Sequence, residues 1–190
     1  MKWMIASDIH GSAKWCAKLL DAWRAARPDR LILLGDLLYH GPRNDLPEDY
    51  APKRVIGLLN DIAPELLCVR GNCEAEVDQM VLAFPVMADY AALLLDGHVI
   101  YATHGHVWGE ENPPPLKDGD ILLCGHTHVP CLHRRKNFTY VNPGSVSIPK
   151  DGTPHSWCLL EDGAMTWFDL ETGGAYRRER LWDPPGTSAG

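Results

Sequence analysis

The sequence predicts an α/β fold in which two β sheets pack together as a sandwich and helices flank them. In the first half of the chain, short apolar runs alternate with stretches of helical period, which is typical of β-α-β units and a parallel sheet. In the second half, apolar runs follow one another with Asp-Gly turns between them, a strong signal for β hairpins. With 190 residues, 45% of them hydrophobic, the chain can bury a full core.

The first half contains three strand-helix pairs. Strands are predicted at 31–34 and 66–69 and, at the start of the chain, at 3–6, because each is a short, continuous apolar run. Ser12 is placed to cap the first helix, in which Trp15, Leu19 and Trp23 recur at every fourth position. The same periodicity predicts helices over 53–62 and 74–82.

The second half is mainly strand. An Asp96-Gly97 hairpin joins 93–95 to 98–100, further strands are predicted at 121–124, 139–141 and 157–160, and an Asp162-Gly163 turn leads into 165–168. The basic clusters 133–136 and 177–180 are interpreted as a solvated hairpin tip and the end of a surface strand. The long loops 40–52 and 109–119 are of a length that is usually functional or mobile.

The chain shows no solenoid repeat and no internal linker, so we expect one domain over 1–182 and a flexible tail over 183–190, which is rich in Pro, Gly and Ser. The apolar runs are far shorter than the roughly 18 residues of a membrane span. The first run stops at Asp8, short of a signal-peptide core. A cytoplasmic location without a membrane partner is expected.

Charge and cysteine usage narrow the possibilities further. The net charge of -7 argues against a long nucleic acid as partner, because a phosphate polymer would be repelled. The six cysteines contain no C-x-x-C pair, and Cys68 and Cys124 lie within apolar runs. We therefore expect reduced thiols rather than a disulfide framework.

Residues of metal-binding type follow nearly every predicted strand at its carboxyl end. In an α/β sheet these ends meet at one edge, so the residues should face one crevice. The seven candidates, in chain order, are Asp8, His10, Asp36, Asn72, His104, His126 and His128.

Each short motif is a weak signal by itself. Asp8 could cap the following helix, Asp36 could stabilise a turn, and the histidines could be ordinary core or surface residues. Together, however, so many carboxylates and imidazoles at successive strand ends would bury unpaired polar groups unless a shared partner satisfied them. A pair of cations is such a partner.

The ligand types indicate the metal and the chemistry. Oxygen and imidazole donors without thiolate suit manganese, iron, zinc or cobalt better than a structural zinc site built on cysteine. Two such ions, roughly 3.5 to 4 Å apart and bridged by a carboxylate, stabilise an in-line phosphoryl displacement and activate water near neutral pH. The sequence thus predicts hydrolysis of a phosphate ester.

The order and spacing of these residues resemble the five motifs of the calcineurin-like metallophosphoesterases: Asp8-x-His10, Gly35-Asp36, Gly71-Asn72, His104 and Gly125-His126-x-His128. The resemblance runs from residue 3 to about residue 150, and segments 40–44, 70–73 and 142–145 are similar to those of the bacterial YfcE type of phosphodiesterase. It implies an α/β/β/α arrangement of layers and two divalent ions, with manganese favoured and zinc, iron and cobalt as alternatives. It also implies a small phosphodiester as substrate and allows a homo-oligomer.

The resemblance further implies how the ligands are shared. One ion would be held by Asp8, His10, Asp36 and His128, and the other by Asp36, Asn72, His104 and His126, with a bridging hydroxide as nucleophile. Asn72 would also contact the substrate. Many family members carry a histidine that protonates the leaving group directly after the Gly-Asn pair, where this chain has Cys73. A thiol is a poorer acid catalyst near neutral pH, so leaving groups that need little protonation should be favoured.

Four further residues are candidates for a functional role. Cys73 is either a catalytic residue or a small residue lining the cavity. His106 could replace it as proton donor or bind substrate. Arg43 could bind a phosphate oxygen in bidentate fashion or be an ordinary surface arginine, and Trp108 could form a pocket wall.

Two other functions fit the same fold. One is a phosphomonoesterase on this scaffold, which the cysteine at position 73 disfavours. The other is a non-catalytic protein-binding scaffold similar to the retromer subunit of this fold, whose metal site is impaired. All seven ligand positions are filled by competent ligands here, which favours the enzyme.

Overall fold

The structure, a computed structural model, describes residues 1–183, so all but the first residue of the predicted tail lies outside the described residues. The first half contains β1 (Lys2–Ala6), α1 (Ala13–Ala26), β2 (Arg30–Leu33), α2 (Pro52–Asn60), β3 (Leu66–Cys68) and α3 (Glu76–Val81). The second half contains β4 (Ala91–Leu95), β5 (His98–Ala102), β6 (Asp120–Leu123), β7 (Cys131–Arg134), β8 (Phe138–Asn142), β9 (Ser156–Glu161), β10 (Ala164–Asp169) and β11 (Ala175–Arg180).

The strands form two mixed sheets, which confirms the predicted sandwich. The first has the order β11-β10-β9-β1-β2-β3, and the second has the order β4-β5-β6-β8-β7. In the first sheet β1, β2 and β3 are parallel, whereas β9 to β11 are antiparallel additions. In the second, β5, β6 and β8 are parallel, with antiparallel strands at both edges. The parallel strands thus form one end of the first sheet and the centre of the second, and their carboxyl ends can carry a site.

Alternation along β1 shows how the layers pack. Met4 and Ala6 face the helical layer formed by α1 and α2, whereas Trp3 and Ile5 face the second sheet. A third, small apolar cluster covers the outer face of the second sheet, and Leu116 from the 109–119 loop packs against it. Within residues 1–183 this cluster contains no helix residue. On that face the 109–119 loop provides part of the cover.

Local signals account for most element boundaries. Ser12 caps α1 as predicted, since its hydroxyl accepts a hydrogen bond from the Trp15 N–H, and α1 ends where Arg27 adopts a left-handed conformation. Both Asp-Gly hairpins are confirmed, with positive φ at Asp96, Gly97, Asp162 and Gly163. The predicted helix over 74–82 is shorter, Glu76–Val81, because Glu74 stays in the preceding loop, where its side chain accepts hydrogen bonds from Gly71 of that loop and from the loop after β2.

The two basic clusters lie on edge strands, one at the β7–β8 hairpin and the other on β11, as their interpretation required. All six cysteines are free. Across residues 1–183, none of the helices combines the length and apolar character needed to cross a bilayer.

Candidate metal centre

The seven predicted ligands lie in the loops that follow parallel strands of both sheets. Five of them adopt the left-handed backbone conformation: Asp8 (φ 59°), His10 (φ 47°), Asp36 (φ 56°), His126 (φ 66°) and His128 (φ 64°). Such conformations cost on the order of 1 kcal/mol or more for each residue other than glycine, and they cluster at functional sites. The local backbone is thus organised to turn these side chains toward one point.

Two motif glycines allow the loops to approach each other. A Cβ atom on Gly71 would collide with the carboxylate of Asp36, and one on Gly125 would collide with Ser7 and Asp8. Any side chain at either position would displace a candidate ligand. The glycine next to Asn72 and the glycine next to His126 are therefore structural requirements of the site.

Asp8, His10 and His128 form the first group of ligands. The Asp8 Oδ1 atom lies 3.2 Å from His128 Nε2 and 3.5 Å from His10 Nε2, and the two histidine Nε2 atoms are 3.3 Å apart. All three side chains are buried. Three ligand atoms on a common centre, within 4.8 Å of one another, are the arrangement that a bound metal ion requires.

The hydrogen bonds on the far side of the rings fix their tautomers. Nδ1 of His10, His104 and His128 lies 2.6–2.7 Å from a backbone carbonyl oxygen, so Nδ1 carries a proton and, in the neutral ring, Nε2 presents a lone pair to the site. The Nε2 lone pairs of His10 and His128 therefore face each other. Within the described residues, the buried Asp8 Oδ1 also has no hydrogen-bond partner. A cation satisfies all three atoms, whereas no proton arrangement of neutral rings does.

The second group shares Asp36 with the first. The Asp36 Oδ2 atom is 3.6 Å from His10 Nε2 and 3.4 Å from His104 Nε2, so one carboxylate oxygen faces both groups. His104 Nε2 also lies 3.2 Å from Asn72 Oδ1 and 3.2 Å from His126 Nδ1. The donors converge on two adjacent points with Asp36 between them.

Electrostatics in the metal-free site already favour a cation. Burial acts to raise the pKa of Asp8, but the adjacent imidazoles of His10 and His128 hold it well below its ordinary value. Burial opposes the charge on His104, yet its hydrogen bond to Asp36 raises the His104 pKa to about 9. Burial and the nearby His104 lower the pKa of His126 to about 4. The carboxylates are thus ionised, one proton is retained on His104, and His126 is neutral.

Cys73 contacts the shared carboxylate through its backbone. Its N–H donates to Asp36 Oδ1 at 2.9 Å, and its Sγ accepts a hydrogen bond of 3.3 Å from Asn72 Nδ2. Burial, reinforced by the Asp36 charge, raises the pKa of the Cys73 thiol, so the thiol stays protonated at neutral pH.

Glu74 is a functional residue that the sequence analysis did not identify. Its carboxylate accepts hydrogen bonds from the backbone N–H groups of Asp36 (2.9 Å), Leu37 (2.7 Å) and Gly71 (2.5 Å). Burial and the Asp36 charge raise its pKa, while the three N–H donors act in the opposite direction. Glu74 joins the loop of the shared ligand to the loop of Asn72.

A cavity of about 500 Å³ opens onto the site. Its wall includes seven of the predicted residues, namely His10, Asp36, Arg43, Asn72, Cys73, His126 and His128. Arg43 and Lys150 are exposed and line the same cavity, so two positively charged side chains lie beside the candidate ligands. Lys150 was not found from the sequence, because an isolated exposed lysine carries no motif.

His106 lies on a neighbouring cavity of about 250 Å³, which it lines together with His104. Its ring centre is 5.5 Å from that of His104 and 6.1 Å from that of His126. The structure therefore puts the two candidate proton donors, Cys73 and His106, on different cavities beside the same ligand group. A larger cavity, about 680 Å³, lies against α1 and the β9–β10 hairpin and contains none of the predicted ligands.

Comparison with known proteins identifies the family of this chain. Residues 1–163 match the model of the calcineurin-like phosphoesterase superfamily domain. The chain belongs to this superfamily. The match covers all seven predicted ligands of the phosphoesterase, so the family resemblance drawn from its motifs is confirmed.

Individual relatives support the same conclusion. The phosphoesterase is 46% identical over 170 residues to phosphodiesterase YfcE of Escherichia coli (strain K12), covering 90% of this chain and 92% of the relative. The solved structure of Yfce, a phosphoesterase from E. coli, superposes with a TM-score of 0.92 at 43% identity, covering 95% of this chain and 100% of that one. Vps29 of Entamoeba histolytica, solved with Zn²⁺, has a TM-score of 0.62 at 19% identity, covering 95% and 99%, and shows the fold alone.

The 142–145 segment of the phosphoesterase supports the ligand loops from below. The Asn142 side chain donates to the Gly125 carbonyl at 2.7 Å, directly before His126. The hydroxyl of Ser145 donates to the Asp8 carbonyl at 2.9 Å, and Ser147 adds a second hydrogen bond of 3.2 Å to the same oxygen. The segment therefore holds both loops that deliver the first group of ligands.

Proposed function

We propose that this phosphoesterase hydrolyses a small phosphodiester with two divalent ions bound at the strand ends. The observation that carries the proposal is the pair of donor groups that share one Asp36 oxygen. Asp8 Oδ1, which has no hydrogen-bond partner in residues 1–183, and the facing Nε2 atoms of His10 and His128 support it, because these groups need a cation.

The proposed ligand assignment follows the two groups. Asp8, His10, Asp36 and His128 would hold one ion, and Asp36, Asn72, His104 and His126 the other. Oxygen and imidazole donors favour manganese, with zinc, iron and cobalt as alternatives. Two bound metal ions would supply charge stabilisation for the phosphoryl group and would lower the pKa of a coordinated water.

The chain's own residues would bind and orient the substrate. Arg43 and Lys150, both exposed on the 500 Å³ cavity, are placed to attract the phosphate and to pair with its non-bridging oxygens. The Asn72 amide lies at the border between the ligand group and this cavity and can contact the same phosphate. These contacts position the phosphorus atom in front of the ligand groups.

The two candidate proton donors favour diesters whose leaving groups need little protonation. The Cys73 thiol, whose pKa is raised, is a weak acid and therefore a poor proton donor. Burial and the charge of His104 lower the pKa of His106, so its ring is mostly neutral at pH 7. With either residue as donor, alkoxides that require full protonation should be poor leaving groups, and activated aryl diesters should be cleaved well.

The remaining proposals concern partners and location. The proposed substrate is a small phosphoester, and a long nucleic acid is not proposed as a partner. Free thiols at all six cysteines support a reducing, cytoplasmic compartment.

The proposal is tested with metal-stripped protein and a bis-aryl phosphodiester, with manganese, zinc, magnesium and iron added back separately and an aryl monoester assayed in parallel. We expect a transition metal to restore diester cleavage, and diester cleavage to exceed monoester cleavage. Asp36→Asn should lose both ions and the activity, whereas Asp45→Asn, an exposed aspartate on the loop after Asp36, should behave like wild type. Two bound ions without turnover on any ester would instead favour the non-catalytic scaffold.

A further inference from the structure

A second recess begins at His104 and leads away from the polar cavity. Its first part, about 250 Å³, is lined by His104, His106, Arg70 and Trp108 among others. It adjoins a cavity of about 410 Å³ on the outer face of the second sheet. The two parts share Thr103 and Trp108 in their walls, so Trp108 lies between them.

The lining of this recess differs from that of the polar cavity. Tyr90, Tyr101 and Trp108 lie in its outer part together with Pro114 and Pro115. Tyr90 is 58% exposed and Trp108 is 39% exposed, so their faces are available to a ligand. The polar cavity carries Arg43 and Lys150 instead. The candidate metal centre thus has a basic cavity and an aromatic recess beside it, and a phosphodiester has two ester arms.

Trp108 is held in place by its backbone rather than by its ring. Its carbonyl oxygen accepts a hydrogen bond of 2.6 Å from the Thr103 hydroxyl. The loop that follows is closed by hydrogen bonds from Asn112 to the Val107 carbonyl (3.1 Å) and from the Gly109 N–H to Asn112 (3.2 Å). An anchored backbone with an available aromatic face suits stacking, because little further ordering is needed on binding.

We propose that Trp108, together with Tyr90 and Tyr101, forms a subsite for a planar aromatic arm of the phosphodiester, either an aryl group or a nucleobase. This rests on the proposed function and specifies its substrate class. The recess is concave, its outer part has the volume of an ordinary small-molecule site, and the inner part beside it is lined by His104. Because Trp108 and His104 line the same inner part, a molecule with a ring stacked on Trp108 can extend toward the candidate metal centre.

The test measures affinity with ligand pairs that differ only by an aromatic ring. Calorimetry on the manganese-loaded protein compares phenylphosphonate with methylphosphonate, and thymidine 5′-phosphate with deoxyribose 5-phosphate. We expect the aromatic member of at least one pair to bind about tenfold more tightly, which is typical of one stacked ring. The pair with the larger ratio identifies an aryl group or a nucleobase as the arm.

Three variants localise the effect. Trp108→Ala should reduce the ratio to about one while the methyl ligand binds as before, and Trp108→Phe should retain most of it, because a ring remains. Tyr176→Leu, which removes another exposed aromatic residue on β11 of the first sheet, should leave the ratio unchanged. Equal binding within both pairs, or a ratio that survives in Trp108→Ala, would overturn the subsite.

The outcomes separate this proposal from the one on which it rests. If manganese restores diester hydrolysis but both ratios are one in the wild type, the subsite is wrong and the proposed function stands. If neither phosphonate binds and no metal restores hydrolysis, both are wrong.

Discussion

Replacing Glu74 by glutamine removes the charge that joins two of the ligand loops. In the wild type, Oε2 accepts hydrogen bonds from the N–H groups of Asp36 and Gly71, and Oε1 accepts one from Leu37. Glutamine has a single oxygen. Its best orientation keeps the two bonds of Oε2 and places the amide NH₂ against the Leu37 N–H, so one buried donor loses its partner.

The magnitude follows from these bonds. An unsatisfied buried donor costs about 1–3 kcal/mol, and the two remaining bonds lose the additional strength of a charged acceptor. We therefore expect Glu74→Gln to lower the free energy of unfolding by about 2–4 kcal/mol, or to lower Tm by roughly 4–16 °C for a domain of this size. Because Asp36 is no longer fixed, metal affinity should fall by about 10- to 100-fold.

The assay is thermal and urea unfolding of the metal-free protein, followed by titration with Mn²⁺. Glu76→Gln is the matched control, since Glu76 is exposed and lies only two residues away. It should change stability by less than about 0.5 kcal/mol. A Glu74→Gln protein with wild-type stability and wild-type metal affinity would refute the role assigned to this carboxylate.

Two other changes test the geometry and the electrostatics of the site. Gly71→Ala places a Cβ against the Asp36 carboxylate and should weaken Mn²⁺ binding by about 10- to 100-fold. Gly57→Ala, in open space within α2, is the control and should raise the free energy of unfolding by about 0.5–1 kcal/mol. Equal Mn²⁺ affinities in titrations of the two variants would contradict the role of Gly71. In the metal-free protein the raised pKa of His104, about 9, means that stability from its protonated ring is fully present below pH 6.5 and is lost as the pH rises through 9. Metal uptake at pH 7.5 must therefore displace that proton. Calorimetry in buffers of different ionisation enthalpy should show release of at least one proton per chain, and no release would contradict this.

The grouping of the candidate ligands could be predicted because their signal is local and repeated. Each of Asp8, Asp36 and His104 follows a short apolar run, and the ends of parallel strands meet by topology alone. The hairpins could be predicted for a similar reason, because few residue types tolerate positive φ at two consecutive positions, as the Asp-Gly turns require.

The supporting residues could not be predicted because their contacts are long-range. Glu74 bonds to backbone groups 37 and 38 positions away, and its sequence context indicated only the start of a helix. The aromatic recess depends on strand register, which pairs Ala92 with Tyr101, and on the path of the 109–119 loop. Neither is visible in the order of residues.

The most direct test of the two-ion centre is anomalous diffraction at the manganese edge from crystals of the protein loaded with Mn²⁺. The account predicts two peaks about 3.5–4 Å apart, one on each side of Asp36 Oδ2, the first among Asp8, His10 and His128 and the second beside His104. A single peak, or peaks that Asp36 does not bridge, would contradict it.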